Sequence, residues 1–482
     1  VVLAQDLSLM AIVPLALPSG SSQARFNQGG AAQLINCYLS PIGDEGKVKN
    51  AIYASDGLQG FCFLQNVASG LGCRAGIVVD GVIYVVAGVG LYKVTATGDQ
   101  KFIGSMNIST TAPVFIKRNR RATPDIAIVC DGLMYNCRAD VLTQVTDVDL
   151  LAPITLAFSD GYFGITTAQN KWQIGAIDDA TAWDGLDFAT ADGDPDDLIC
   201  IAALQGQFYL FGEETIEVWQ DNGGADFPYG RAFVIPIGLL ASNSVATVAE
   251  TLAWVANDRT VRLLGSGDSA QIISTPKVES DIQDIEDPST IQATSWSSRG
   301  HTFYALTCPK WTHIYDTRMQ RWHDRQTHGR KNWRIAFVLE FGTKLIAGDA
   351  DTGALFEMSP GFKDDAGDPL ISSVIPPTVH AFPQRVTHNA LYLDVQRGVG
   401  TGQGLPQDVD PEIMIDWSHD GGETFKTQRK VKLGKQGQNL TRIRTNRLGQ
   451  APENGRVYRF SWSAKVDRAL YAVSADLEMD AV

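Results

Sequence analysis

The sequence predicts an all-β protein, an irregular β-propeller of six or seven blades followed by a C-terminal β-sandwich-like domain. Three observations carry that expectation. Glycine is abundant, 46 of 482 residues, and turn dipeptides are scattered along the whole chain, which favours many short strands over long helices. A hairpin unit of one shape recurs at near-constant spacing as far as Met358 and then stops. Beyond it, segments such as 457–462 alternate between apolar and polar residues, as the strands of a two-sheet sandwich do. Hydrophobic residues at 44% and charged residues at 20% supply an ordinary globular core and exclude a disordered chain.

Residues 1–60 read as an arm rather than a domain. They hold a Gly/Ser/Gln-rich stretch at 19–32, a short strand at Asn36-Cys37-Tyr38-Leu39 and a turn at Ser55-Asp56-Gly57-Leu58. Such an arm either closes a larger sheet or contacts a neighbour. The clearest copy of the repeated unit follows later, at 203–219. Phe208-Tyr209-Leu210-Phe211 is a buried strand after the turn Gln205-Gly206, and the chain returns through Thr215-Ile216-Glu217-Val218-Trp219.

Placing the turn of each copy at residues 81, 132, 161, 206, 251, 300 and 342 gives intervals of 51, 29, 45, 45, 49 and 42 residues. All but one lie near the roughly 40–50 residues of a four-stranded blade. A blade cannot bury its own faces, so blades stack around an axis and hide nearly all their edges. The short interval leaves the count at six or seven. Turn formers at Ser359-Pro360-Gly361 and 364–369, then Pro376-Pro377, mark the end of the repeats. The expected division is an arm over 1–60, a propeller over 61–362 and a β domain over 363–482.

The most apolar N-terminal run, Leu9 to Leu17, is too short to span a bilayer and is broken by Pro14. Without a preceding basic region it is not expected to be a signal peptide. Seven cysteines without a C-x-x-C pair argue against a disulfide framework or a structural zinc and fit synthesis in a reducing cytoplasm. The formal net charge of −14 conceals a segregation. From Lys426 to Arg468 there are twelve Lys/Arg against two acids, a balance of +10, so the remainder carries −24. From Trp172 to Gly230 there are thirteen acids and no Lys or Arg.

Motifs with chemistry are few. Ser418-His419-Asp420-Gly421-Gly422-Glu423-Thr424-Phe425 fits the S-x-D-x-G-x-T-[WF] Asp box, in which Ser and Asp bond the backbone of a tight hairpin, so it marks a turn and not a catalytic centre. The acidic run Asp192-Gly193-Asp194-Pro195-Asp196-Asp197 lacks the spacing and distal Glu of an EF-hand and reads as a solvated loop. His313, His323 and His328 lie near Trp311 and Trp322 without metal-ligand spacing and read as packing and surface histidines. No nucleophile elbow or Walker loop is present, so no catalytic, cofactor-binding or metal residue is assigned. The basic run at 426–468 is the remaining signal. If Thr441-Arg442-Ile443-Arg444 is a strand, its two arginines share one face. Docking on an acidic protein surface, a neighbour's included, is favoured over DNA because base-reading modules and interleaved aromatics are lacking.

Three stretches also carry a family resemblance: Asp178 to Ala189; Phe211 to Trp219 with Gly223-Gly224-Ala225-Asp226-Phe227-Pro228-Tyr229; and Ser418 to Gly422 through Leu433-Gly434-Lys435 and Arg447-Leu448-Gly449. In these the chain resembles the tail hub or nozzle (packaged-DNA stabilisation) proteins of short-tailed bacteriophages. The likeness runs from Asn36 to Leu477, while the arm and 132–161 depart from the pattern. It implies a structural, non-enzymatic virion protein made in the host cytoplasm, a propeller ring of commonly six copies below portal and adaptor. That ring would line the DNA exit channel, retain the genome and carry a fibre, spike or needle. On this reading Asp192, Asp194, Asp196, Glu213 and Glu214 are candidates for the channel face. Lys430, Lys432, Arg442, Arg444 and Arg447 are candidates for docking on the adaptor or a neighbour. Two alternatives belong to other classes. A sialidase-like propeller would bind or cleave glycans but needs several Asp boxes and an arginine cluster, and a sialoside turnover assay would reveal it. A DNA-binding module using 426–468 would lose affinity steeply with salt.

Overall fold

The computed structural model describes residues 11–168, 170–191, 193, 196–224 and 227–479. Seven units of four antiparallel strands form the propeller. Blade 1 spans 73–105, blade 2 115–144, blade 3 155–190, blade 4 198–235, blade 5 246–272 and blade 6 292–324. Blade 7 takes three strands from 335–359 and its fourth, Gly57–Phe63, from far upstream, antiparallel to Ala354–Ser359. The expected propeller is present, and it has seven blades.

In blade 2 the turn that marked the repeat joins the second and third strands, and in every other blade it joins the first two. In six blades both central residues of that turn have positive φ, as at Asp80-Gly81 (48° and 75°) and Gln205-Gly206 (50° and 82°). This pattern belongs to the primed hairpin turn, whose twist matches the flanking strands and which favours glycine. Blade 5 makes the same turn with Ala249-Glu250, at 48° and 63°, so no glycine marks it in the sequence. The 29-residue interval, preceded by one of 51, reflects a marking turn in blade 2 that lies one strand later than in the other blades, and not a missing blade.

Strands sandwiched between neighbouring blades are buried on both faces, which is why they read as continuous apolar runs such as Phe208–Phe211. A separate apolar core fills every one of the seven junctions. The junction of blade 7 with blade 1, Ile346 and Leu355 against Ile83 and Val85, closes the circle. The helix Pro276–Gln283 plugs the rim between blades 5 and 6 with Val278 and Ile282. Among the described residues no helix is long and apolar enough to cross a membrane. All seven cysteines are free, and six of them are buried.

The C-terminal part is a sandwich whose core includes Leu391, Leu393, Ile413, Ile415, Phe460 and Trp462. One of its sheets is continuous with blade 6. The strand Gln33–Ile35 lies parallel to Arg321–Asp324 of that blade and antiparallel to Ser372–Ile375, giving nine strands that end at Lys426–Lys432. The other sheet runs through Cys37–Pro41, Asn50–Ala54, Ala469–Met479, Val386–Val395 and Arg444–Ala451, with Ala11–Leu15 also paired to Ala469–Met479. The N-terminal segment is therefore threaded through both parts.

Buried polar groups reinforce the seam. Arg325, 2% exposed, donates to Asp365 Oδ1 and to the Asp56 carbonyl, both at 2.9 Å, and lies over the Trp333 ring. Asn36 Nδ2 bridges the carbonyls of Gln326 and Ile371 at 3.0 and 2.9 Å. Arg468, also buried, donates to the carbonyls of Leu370 and Lys363.

Candidate functional site

The segment richest in family-like residues forms the junction of blades 3 and 4. Trp172 from blade 3 is wholly buried, its ring centroid 5.3–5.7 Å from those of Phe208, Trp219, Phe227 and Tyr229. Edge-on packing of this kind suits the quadrupoles of aromatic rings. Beside it Glu217, 3% exposed, is a buried carboxylate with a full set of donors. Its Oε1 accepts from the Gly193 amide at 2.7 Å and from Arg231 Nη1 at 3.0 Å, and its Oε2 from Trp219 Nε1 at 2.9 Å. Sequence reasoning passed over Glu217. The available signal was a lone acid within the apolar run Ile216-Glu217-Val218-Trp219.

The acidic candidates divide. Asp196 Oδ2 accepts from the amides of Glu214 and Thr215 at 2.8 and 2.9 Å, so this carboxylate secures the turn between the second and third strands of blade 4. The Glu213 and Glu214 side chains project from that turn into solvent. Asp192 and Asp194 lie outside the described residues.

The basic candidates come together on adjoining edges of the sandwich. Lys430 and Lys432 sit on Lys426–Lys432, the edge strand of the long sheet, and Arg444 and Arg447 on Arg444–Ala451, the edge strand of the other. These two edges lie side by side. The strand expected over 441–444 begins only at Arg444, because Thr441 is held in a turn by donating its hydroxyl and amide to the Gln438 carbonyl. Arg442 and Arg444 still share a face, with both guanidinium groups over Tyr392 at 5.9 and 4.8 Å from the ring centroid. Arg447 has φ +58°. Lys432 pairs with Asp410 at 2.5 Å. Lys430, Arg442, Arg444 and Arg447 are exposed and meet no carboxylate among the described residues.

The remaining motifs are structural. In the Asp box, Ser418 Oγ accepts from the amides of Asp420 and Gly422 at 3.1 and 2.9 Å, and Asp420 Oδ1 from that of Thr424 at 3.0 Å. At one mouth of the propeller a polar cavity of about 510 Å³ is bordered by Arg74 and Arg334. Both cations are already engaged, Arg74 with the carbonyls of Gly88 and Ala112 and Arg334 with Asp349. Among the described residues no three His, Cys, Asp or Glu side chains are grouped to hold a metal.

His313 departs from the packing role expected of it. It is buried between two carboxylates, Nδ1 at 2.7 Å from Asp324 and Nε2 at 3.0 Å from Asp281. Burial by itself lowers its pKa, but the bonds and charges of the two aspartates outweigh it and raise the value to about 9. Asp324 also accepts from Ser21 and Gln33, so this centre ties the N-terminal segment to blade 6. A histidine whose folded pKa exceeds its unfolded value stabilises fully below about pH 6.5, and that stabilisation is lost as pH rises through about 9. The loss expected across that window is roughly 3 kcal/mol. Urea unfolding midpoints at a series of pH values check it: they should fall from neutral to alkaline pH in the native chain and flatten in His313→Gln.

Against known families, residues 49–362 match the model described as Bacteriophage P22 Gp10, beta-propeller. Residues 374–478 match the one described as Bacteriophage P22 Gp10, beta-sandwich. No curated protein matches the chain. Among solved structures it is similar to the extracellular domain of the hybrid two-component system BT4673 of B. thetaiotaomicron, at 8% identity and a TM-score of 0.44, over 63% of this chain and 40% of that one. It is also similar to the computationally designed Ika8 protein, at 12% identity and a TM-score of 0.38, over 68% of this chain and all of that one. At these scores neither likeness bears on function. The two P22 Gp10 matches run through the propeller and the sandwich alike, and the chain belongs to that family of phage tail proteins, which stabilise packaged DNA.

Proposed function

We propose that the chain is a non-enzymatic hub or nozzle of a short tail, six copies forming a ring below the portal and adaptor. The ring lines the DNA exit channel, retains the packaged genome and carries a fibre, spike or needle. The observation that carries this reading is the double family match, which spans propeller and sandwich in one chain. The continuous nine-stranded sheet supports it mechanically, since a retained genome presses on a body with no flexible hinge at that seam.

Asp192, Asp194 and Asp196 are proposed for the channel wall, while Glu213 and Glu214 on the adjoining turn serve the contact between copies. A negative wall repels DNA phosphates and keeps the duplex from adhering in transit, within about 8 Å at physiological salt. Lys430, Lys432, Arg442, Arg444 and Arg447 are proposed for docking. Electron micrographs of the purified protein, alone and with portal and adaptor, test the reading. Closed rings are expected, and a monomer in both preparations at high concentration would exclude it.

A further inference from the structure

We propose that the basic edge of the sandwich docks on the acidic end of blade 4 of a second copy of this chain, head to tail. The proposal rests on the ring-forming reading above and names the surfaces that would build the ring.

Two surfaces of opposite charge stay unpaired within one molecule. Of the cations between 426 and 468, Lys432, Arg459 and Lys465 have carboxylate partners, and Arg456 and Arg468 are buried. Those left exposed without a carboxylate among the described residues include Lys430, Arg442, Arg444 and Arg447. Cation–π contact with Tyr392 holds two of them in place, which reduces the ordering cost of docking. At the end of blade 4 that carries the turn between its second and third strands, the described acids Asp197, Glu213 and Glu214 are exposed without an ion-pair partner.

The topology prevents one molecule from satisfying both. The sandwich is joined at blade 6 and touches the strand that completes blade 7. In a closed circle of seven, blade 3 lies directly across from the junction of 6 and 7, with blade 4 beside it. Opposite charges that far apart are screened from each other, so they are neutralised only between molecules. A contact that joins the sandwich edge of one copy to the far rim of the next is heterologous. It leaves one free surface of each kind at every step, until the rotation closes a ring.

Charge reversal tests this. All four side chains to be changed, Lys430, Arg444, Glu213 and Glu214, are exposed, so K430E/R444E and E213K/E214K should melt with the native chain. Each variant alone should self-associate at least ~10-fold more weakly by sedimentation or mass photometry. An equimolar mixture of the two should recover assembly, because each reversed surface then meets its complement. Native assembly should also weaken as salt rises from about 50 to about 200 mM. If the native chain assembles and either variant does so equally well, or the mixture stays dissociated, the surfaces are wrong and the ring stands. If the native chain never assembles, the ring reading fails as well. A short DNA duplex retained by the native chain and lost by K430E/R444E, with assembly intact, would assign the edge to nucleic acid instead.

Discussion

Arg325→Ala is expected to destabilise the protein by about 3–5 kcal/mol, the cost of breaking a buried ion pair from one side. The side chain spans the seam of propeller and sandwich, touching Asp56 and Asp365 and covering Trp333. Its removal leaves Asp365, 1% exposed, beside a cavity and without its strongest cationic neighbour. Burial already raises the pKa of Asp365, opposed chiefly by the charge of Arg325, so the variant should take up a proton there. The double replacement Arg325→Leu with Asp365→Leu removes both charges and should recover much of the loss. Urea unfolding followed by tryptophan fluorescence reads both effects. A single-variant loss below about 1 kcal/mol, the range of exposed pairs, would mean that the seam is hydrated and the pair contributes little.

Trp172→Ala is expected to cost about 3–5 kcal/mol, the usual range for deleting a buried aromatic. Four aromatic neighbours from blade 4, Phe227 in the loop before its last strand among them, face the ring, and their rigidity limits how far the cavity can collapse. Trp172→Phe should cost much less. It keeps most of the ring contacts and removes an Nε1–H that is buried without a partner among the described residues. Thermal unfolding of both variants decides the matter: equal destabilisation would contradict a packing role and point to the indole nitrogen.

How much of this was legible beforehand follows from sequence distance. The seven blades could be counted to within one because each holds a local marking turn, and the two-residue turn chemistry of Asp80-Gly81 or Gln205-Gly206 is written in adjacent letters; that of blade 2 joins its second and third strands, which left the count open. Ala249-Glu250 shows the limit, where strand twist imposes the turn without its glycine. The shared face of Arg442 and Arg444 was also readable, from their spacing. That Asp196 also holds the amides of residues 214 and 215 was not legible, since nothing nearby in sequence announces them. The seam was invisible for a stronger version of the same reason. Arg325 and Asp365 are 40 residues apart, and Ser21 reaches Asp324 across 303. Such partners are chosen by the closing of the ring and the threading of the N-terminal segment, and periodicity carries no information about either. His313 looked like ordinary packing for that reason, although its two aspartates raise its pKa to about 9.

Genome retention in particles assembled without this chain measures the central claim most directly. Heads would be packaged in its absence, completed or not with the purified protein, and the fraction still holding nuclease-protected DNA counted. The account predicts that incomplete particles lose their DNA and that added protein preserves it. Equal fractions of filled heads with and without the chain would contradict it.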